Sequence, residues 1–204
     1  MGAGMETKHS GGKAQPDTAK RIMTVMAEVA LEKGLDALSM RDVAKRAGIS
    51  LAALQYHFAS KDVLIAAFVN SMIEEYRSKI SAIRNACNPT EELRNTVVFA
   101  ARQTLDLQTG EIFAMLEARA IHDEATALAL DGFMRVYLEI VCDVLVRRHP
   151  HLPLKDAQRA ATHIVAMIEG LSSVRSAAQA MGFSGEDLCD SVAAMAEATS
   201  AGFN

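Results

Sequence analysis

Between Ser39 and Phe58 the chain reads SMRDVAKRAGISLAALQYHF. These residue types suit contact with a nucleic-acid duplex better than bond-making chemistry. Gln55 carries the amide that can pair with an adenine edge. Ala52 and Ala53 are small enough to let a helix backbone sink into a groove, and their methyls match a thymine methyl. Tyr56 and His57 suit phosphate or sugar contacts. Ser39, Arg41 and Ser50 stand at expected helix N-termini, where backbone N–H groups favour phosphate. Lys61 opens a later helix within reach of the same backbone. Each residue also has a plainer reading. Ser39 and Ser50 read as helix caps, Arg41, Lys45 and Arg46 as a solvated face, Tyr56 as packing under the bundle, and His57 as a bridge between helices.

The elements that must position these side chains follow from spacing. Ser39 opens a short helix with Asp42 three residues on, a carboxylate variant of the capping box. Met40, Val43, Ala44 and Ala47 form its inner face. Gly48 ends that helix, where the turn favours a residue free of Cβ strain. Ile49 points inward and Ser50 caps a second short helix running through Phe58. Leu54 and Phe58 face the bundle one turn apart, with Leu51 beside them. At about 100° per residue, Ala52, Ala53 and Tyr56 then face outward, flanked by Gln55 and His57. Counting from Met40, the small Ala44 is fifth and Gly48 ninth, the spacing of a helix-turn-helix whose second helix enters the major groove.

Before this segment, Ile22, Met26, Val29 and Ala30 mark one face of an amphipathic helix that stops at Lys33-Gly34. The run TAKRIMTVMAEVALEKG, followed by LSMRDVAKRAGISLAALQYHFASKDVL, resembles the N-terminal domain of the TetR family of transcriptional regulators over about residues 18–70. The signature is a short recognition helix ending in aromatic-x-His-Phe, then Lys at the next helix start, here Gln55-Tyr56-His57-Phe58 and Lys61. Gln55 stands where the family usually has a phosphate-contacting Tyr, so either Gln55 reads a base or Tyr56 takes over the phosphate contact. The resemblance implies an all-helical, Ω-shaped homodimer, a ligand pocket in the C-terminal domain, and pairing of the last two long helices into an intersubunit four-helix bundle. Residues 88–204 match the family in layout only.

The remaining periodicity predicts a long helix from Ser60-Lys61-Asp62 towards Ala86, with Leu64, Ile65, Phe68, Met72 and Ile73 inside. Breaks fall at Asn88-Pro89-Thr90, at Gln108-Thr109-Gly110 and at His122-Asp123. Phe133 to Leu145 form a 3-4-3-4 stripe, and two final helices cover roughly residues 154–181 and 185–200. The expected fold class is all-α, with about nine helices and no strand. Residues 1–16 read as a disordered arm. Residues 17–62 read as a three-helix helix-turn-helix DNA-binding domain, joined by the connecting helix 61–86 to a helical ligand-binding and dimerisation domain spanning residues 63–204. Ile164, Ile168, Leu171, Ala178, Leu188, Val192, Met195 and Ala196 are the expected dimer seam, although the same stripe would also serve an intramolecular core. Candidate pocket residues are Phe99, Gln103, Phe113, Met115, Leu116, Phe133, Met134, Tyr137, Met167 and Ile168. Glu117, Arg119, His122 and His163 either orient a polar ligand group or form salt bridges and surface.

Charge and composition bound the remaining readings. Residues 1–62 carry nine Lys/Arg against seven Asp/Glu, net +2, and the remaining residues carry twelve against eighteen, net −6. A mildly basic head on an acidic body suits one end meeting phosphate. Cys87, Cys142 and Cys189 are far apart, without CxxC or Cys/His ligand spacing, and read as buried reduced thiols. His149-Pro150-His151 lacks neighbouring ligands for a metal. No GxSxG, P-loop, GxGxxG or HExxH is present, so an enzyme is not expected. No apolar stretch approaches the ~20 residues that span a bilayer, and no secretion signal opens the chain. The expectation is a cytoplasmic, homodimeric regulator, a repressor of a palindromic double-stranded DNA operator. It needs no cofactor or metal and answers to an unidentified small hydrophobic or amphipathic effector. The competing reading is a helix-turn-helix protein without an effector, whose body only dimerises or recruits a partner.

Overall fold

The computed structural model describes residues 16–202, and these form nine helices with no strand among them: α1 Pro16–Lys33, α2 Met40–Arg46, α3 Leu51–His57, α4 Lys61–Ala86, α5 Pro89–Leu105, α6 Leu107–Ala120, α7 Glu124–Arg148, α8 Leu154–Ala180 and α9 Gly185–Ala201. The expected arm, residues 1–16, lies outside the described residues apart from Pro16, which opens α1.

Local chemistry sets the helix starts. Ser39, Ser50, Ser60 and Ser184 each accept a backbone N–H from the first turn of the helix they precede. Asn88 does the same for α5, Asp106 for α6 and Asp123 for α7. Such caps satisfy N–H groups that the helix itself leaves without acceptors. The break expected at Gln108-Thr109-Gly110 falls earlier. The Asp106 carboxylate accepts Thr109 N–H at 2.9 Å and draws these three residues into the first turn of α6.

The first three helices pack as a small bundle. α1 lies against α2 and α2 against α3, while α1 also touches α4 and α6. Helix α4, about 39 Å long at 1.5 Å per residue, leaves this head and runs along α7. In the body, α5 is the central element, packed by α4, α6, α7, α8 and α9. Its buried residues include Leu93, Val97, Ala100 and Ala101, small enough at two positions for neighbours to approach closely. The buried apolar residues other than Ile80 form one cluster that runs from Ile22 to Ala196. No described helix is long and apolar enough to cross a membrane.

This packing redistributes the expected dimer seam. Ile164, Ile168 and Ala196 are fully buried within the single chain, and Leu171 and Val192 nearly so. They face α5, α7 and each other and offer no outer surface. Ala178 and Leu188 are half-buried and Met195 is exposed. The outward face of the last two helices is an adjacent stripe. It carries Ala166, Gly170, Val174, Ala177 and Met181 on α8, with Ala194, Met195 and Ala198 on α9.

The thiols are also not all alike. Cys142 and Cys189 are buried, and burial pushes both up from the usual thiol value. Cys87 is only half-buried, because it terminates α4 at the body surface. No group of three His, Cys, Asp or Glu among the described residues could hold a metal ion.

Candidate nucleic-acid interface

Two turns hold the head in shape. Gly34 (φ +81°) ends α1 and Gly48 (φ +67°) joins α2 to α3. A Cβ at either position would meet nothing within 4 Å. Glycine is therefore needed there for its left-handed backbone, not for space. At α2, Ser39 Oγ accepts Asp42 N–H at 3.2 Å and donates to the Asp42 carboxylate at 2.7 Å. That bond, with Lys33 3.0 Å away, holds the Asp42 carboxyl below its ordinary value. Arg46 forms a two-pronged pair with Glu32, both contacts 2.6 Å, which ties α2 to α1. At α3, Ser50 Oγ accepts Ala53 N–H at 3.1 Å.

The result is a short helix with one buried and one open face. Leu54 is fully buried, with Val43, Ala44 and Ala47 across the turn. Ala52, Ala53, Gln55 and Tyr56 are exposed, Tyr56 by 83%. An aromatic ring left this open on an otherwise well-packed bundle is an available contact surface. Ser39, Arg41 and Ser50 are exposed alongside. His57 is half-buried, its ring edge-on to Tyr56 at a centroid distance of 5.6 Å.

Lys61 differs from this group. It is half-buried, and its ammonium donates to the Asp36 carbonyl at 2.8 Å. Burial and the nearby Arg119 charge lower its pKa. A phosphate contact from Lys61 would have to compete with that bond.

Arg119, near the end of α6, anchors the head to the body. Only 17% of its side chain is exposed, and it reaches Asp62 at 2.7 Å, Asp36 at 3.3 Å and Asp123 at 3.3 Å. One guanidinium thus joins the α1–α2 turn, the start of α4 and the cap of α7. Sequence reasoning left Arg119 open between ligand contact and salt bridge, and the structure places it in ion pairs. Glu117, His122 and His163 are exposed.

In the body, four of the pocket candidates come together around a residue that sequence reasoning missed. Tyr76 on α4 lies 5.3 Å from Phe99, 6.0 Å from Phe133 and 5.2 Å from Tyr137, centroid to centroid, and Phe113 sits 5.1 Å from Phe133. Met115, Met134 and Met167 are half-buried, whereas Leu116 and Ile168 are fully buried core. Gln103 is exposed and does not join the cluster. The signal for Tyr76 was present in the sequence, since it continues the i, i+4 stripe of Leu64, Phe68 and Met72.

Comparison with known proteins agrees with this geometry. Residues 22–68 match the family model for bacterial regulatory proteins of the tetR family. The chain is 27% identical over 160 residues to the HTH-type transcriptional regulator BetI of Rhizobium meliloti, 77% of each chain. It is 36% identical over 106 residues to the HTH-type transcriptional regulator PksA of Bacillus subtilis, covering 50% of this chain and 51% of PksA. A transcriptional regulator from Saccharomonospora viridis, solved in complex with choline, superposes with a TM-score of 0.69 at 16% identity, covering 90% of this chain and 97% of that one. The last likeness is one of fold.

Proposed function

Because the chain belongs, through its helix-turn-helix segment, to the TetR family of DNA-binding transcriptional regulators, we propose that it is a cytoplasmic repressor. In this reading it binds a palindromic operator as a homodimer and lets go when a small molecule enters its body. The observation that carries the DNA-binding part is the open face of α3, with Ala52, Ala53, Gln55 and Tyr56 exposed over a fully buried Leu54. Gln55 would read a base edge. Tyr56, Arg41, Ser39 and Ser50 would hold phosphate and sugar, with His57 and Lys61 at the margin.

Residues 17–62 would form the DNA-binding unit and residues 63–204 the ligand-binding and dimerisation unit. Two copies would meet through the outward stripe of α8 and α9, where Val174 is 50%, Met181 76% and Met195 54% exposed. Small residues among them, Ala166, Gly170, Ala177 and Ala198, permit close helix approach. Burying such a patch in a second copy removes exposed apolar surface from water.

The switch would run through two helices. α4 carries Tyr76 in the aromatic cluster and begins beside α3, while α6 carries Phe113 in the cluster and Arg119 at the head. A ligand that spreads these rings would shift both helices and strain the Arg119 pairs. A coupling of about 1–3 kcal/mol would change operator affinity roughly 5- to 150-fold. The choline bound to the Saccharomonospora viridis neighbour supports a small-molecule effector.

Mobility shift on the DNA flanking the protein's own gene tests the reading. Arg119→Ala should bind that DNA but respond less to an effector. Absence of any duplex preference over bulk competitor at modest ionic strength would remove the function altogether.

A further inference from the structure

We infer that Lys61 is a positioning residue of the DNA-binding head. Its ammonium pins the start of α4 to the α1–α2 turn and so fixes the separation of the two copies of α3, instead of neutralising an operator phosphate. The step rests on the homodimeric operator-binding reading above, and it moves Lys61 from the margin of the contact set to the support beneath it.

The joint between head and body is a closed ring of contacts. Lys61 Nζ donates to the Asp36 carbonyl at 2.8 Å. Its chain neighbour Asp62 takes the Arg119 guanidinium at 2.7 Å, and the same guanidinium reaches the Asp36 carboxylate at 3.3 Å. The α1–α2 turn, the first turn of α4 and the last turn of α6 thus meet at one point. The members of this ring are unequal. The Asp36 carboxylate is 89% exposed, so its pair with Arg119 is a weak surface contact. The Lys61 bond runs from a half-buried ammonium to a backbone carbonyl, is charge-assisted, and holds the path of the chain itself.

Two features set Lys61 apart from the phosphate-contacting candidates. The first is charge. Lys61 and Arg119 stand among Asp36, Asp62 and Asp123, two cations against three carboxylates. A phosphate approaching Lys61 would meet that excess of negative charge, and it would have to replace an acceptor already in place. Ser39, Arg41, Ser50 and Tyr56 are instead open to solvent. The second is location. Only Phe58, Ala59 and Ser60 lie between the end of α3 and Lys61. A bond that pins Lys61 therefore also pins the direction of α3. In a two-fold dimer the angle of each head on its body sets the distance between the two α3 helices, which must match one half-site spacing.

The test uses the full-length protein and two duplexes: the sequence it selects from random DNA, and the same sequence with one base pair inserted at its centre. Lys61→Met keeps nearly the length of the side chain and removes the donor. Loss of a phosphate contact from both subunits would flatten the dependence of log affinity on log salt by about 1.8. Lys61→Met should leave that slope within about 0.5 of the wild type, whereas Arg41→Met should flatten it. The wild type should prefer the selected spacing by at least about tenfold. Lys61→Met should lose most of that preference, because a freed head meets both spacings and is aligned for neither. A variant that was only less well folded would lower the active fraction on both duplexes alike and keep the ratio. A slope flattened by about 1.8 in Lys61→Met, or a spacing preference equal to that of the wild type, would each overturn the inference while leaving the operator-binding reading intact. Failure of the wild type to select any duplex would remove that reading and the inference with it.

Discussion

The head and the aromatic interior of the body treat polar groups in opposite ways. In the head, helix caps, turn glycines and ion pairs are matched one to one: Ser39 with Asp42, Ser50 with Ala53 N–H, Arg46 with Glu32. What it leaves open, it leaves open to solvent, on one face of α3. In the body, the open groups are inside. The Tyr76 and Tyr137 hydroxyls are buried against each other without a well-formed hydrogen bond, and among the described residues Glu169 enters no ion pair. A unit that reads a rigid duplex gains from being finished before contact. On the proposed reading, a unit that responds to a ligand gains from an interior left incompletely satisfied, at some expense of resting stability.

The largest break in this contrast should come from Glu92, the body's other inward carboxylate. Glu92→Ala removes a charge-assisted bond from each of Arg84 and Arg147 and leaves both to Asp143, and chemical denaturation should show a loss of about 3–5 kcal/mol. Next comes the head core. Leu54→Ala removes a fully buried side chain and should cost about 2–5 kcal/mol. DNA binding would go with it, because the support of α3 is lost. Gln55→Ala sharpens the contrast from the other side. It should leave the melting temperature nearly unchanged, since exposed positions contribute little. It should also weaken binding to a selected operator by about 1–3 kcal/mol and relax one base position.

The smallest effect is expected at Glu169, and its sign is the informative part. Burial raises the carboxyl's pKa in the folded protein. The folded state therefore holds that proton more tightly than the unfolded chain does. The stability this contributes is complete below about pH 4.3, the unfolded value, and is lost as pH rises through the folded one. Glu169→Gln should accordingly melt slightly higher than the wild type at neutral pH. The gain should close as the pH falls toward 4. A variant that melts lower at neutral pH would mean that Glu169 is a structural partner instead.

How legible each region was follows from the same contrast. The head is built by local chemistry, and Ser39, Gly48, Ser50 and Leu54 each announce their role within a few residues. The body is built by packing between distant helices. The stripe of Ile164, Ile168 and Leu171 is apolar whether it faces α5 or a second copy, so periodicity alone could not choose, and the chain's own core claims it. Asp106 moved a helix break by a few residues because a cap outweighs Gly110 in setting where a helix starts. Glu169 carries no sequence signal. It sits one position from Ile168 on a helix with ordinary charges, and only the packing of α8 against α5 and α7 withdraws it from water.

Selection of bound duplexes from random DNA by the purified full-length protein tests the central claim most directly. An outward α3 on each of two related subunits predicts a two-fold symmetric consensus, its half-sites about 34 Å apart, and Gln55→Ala should blur one position in each half. Recovery of no enriched sequence at modest ionic strength, or of one that Gln55→Ala and Tyr56→Ala both leave untouched, would contradict it.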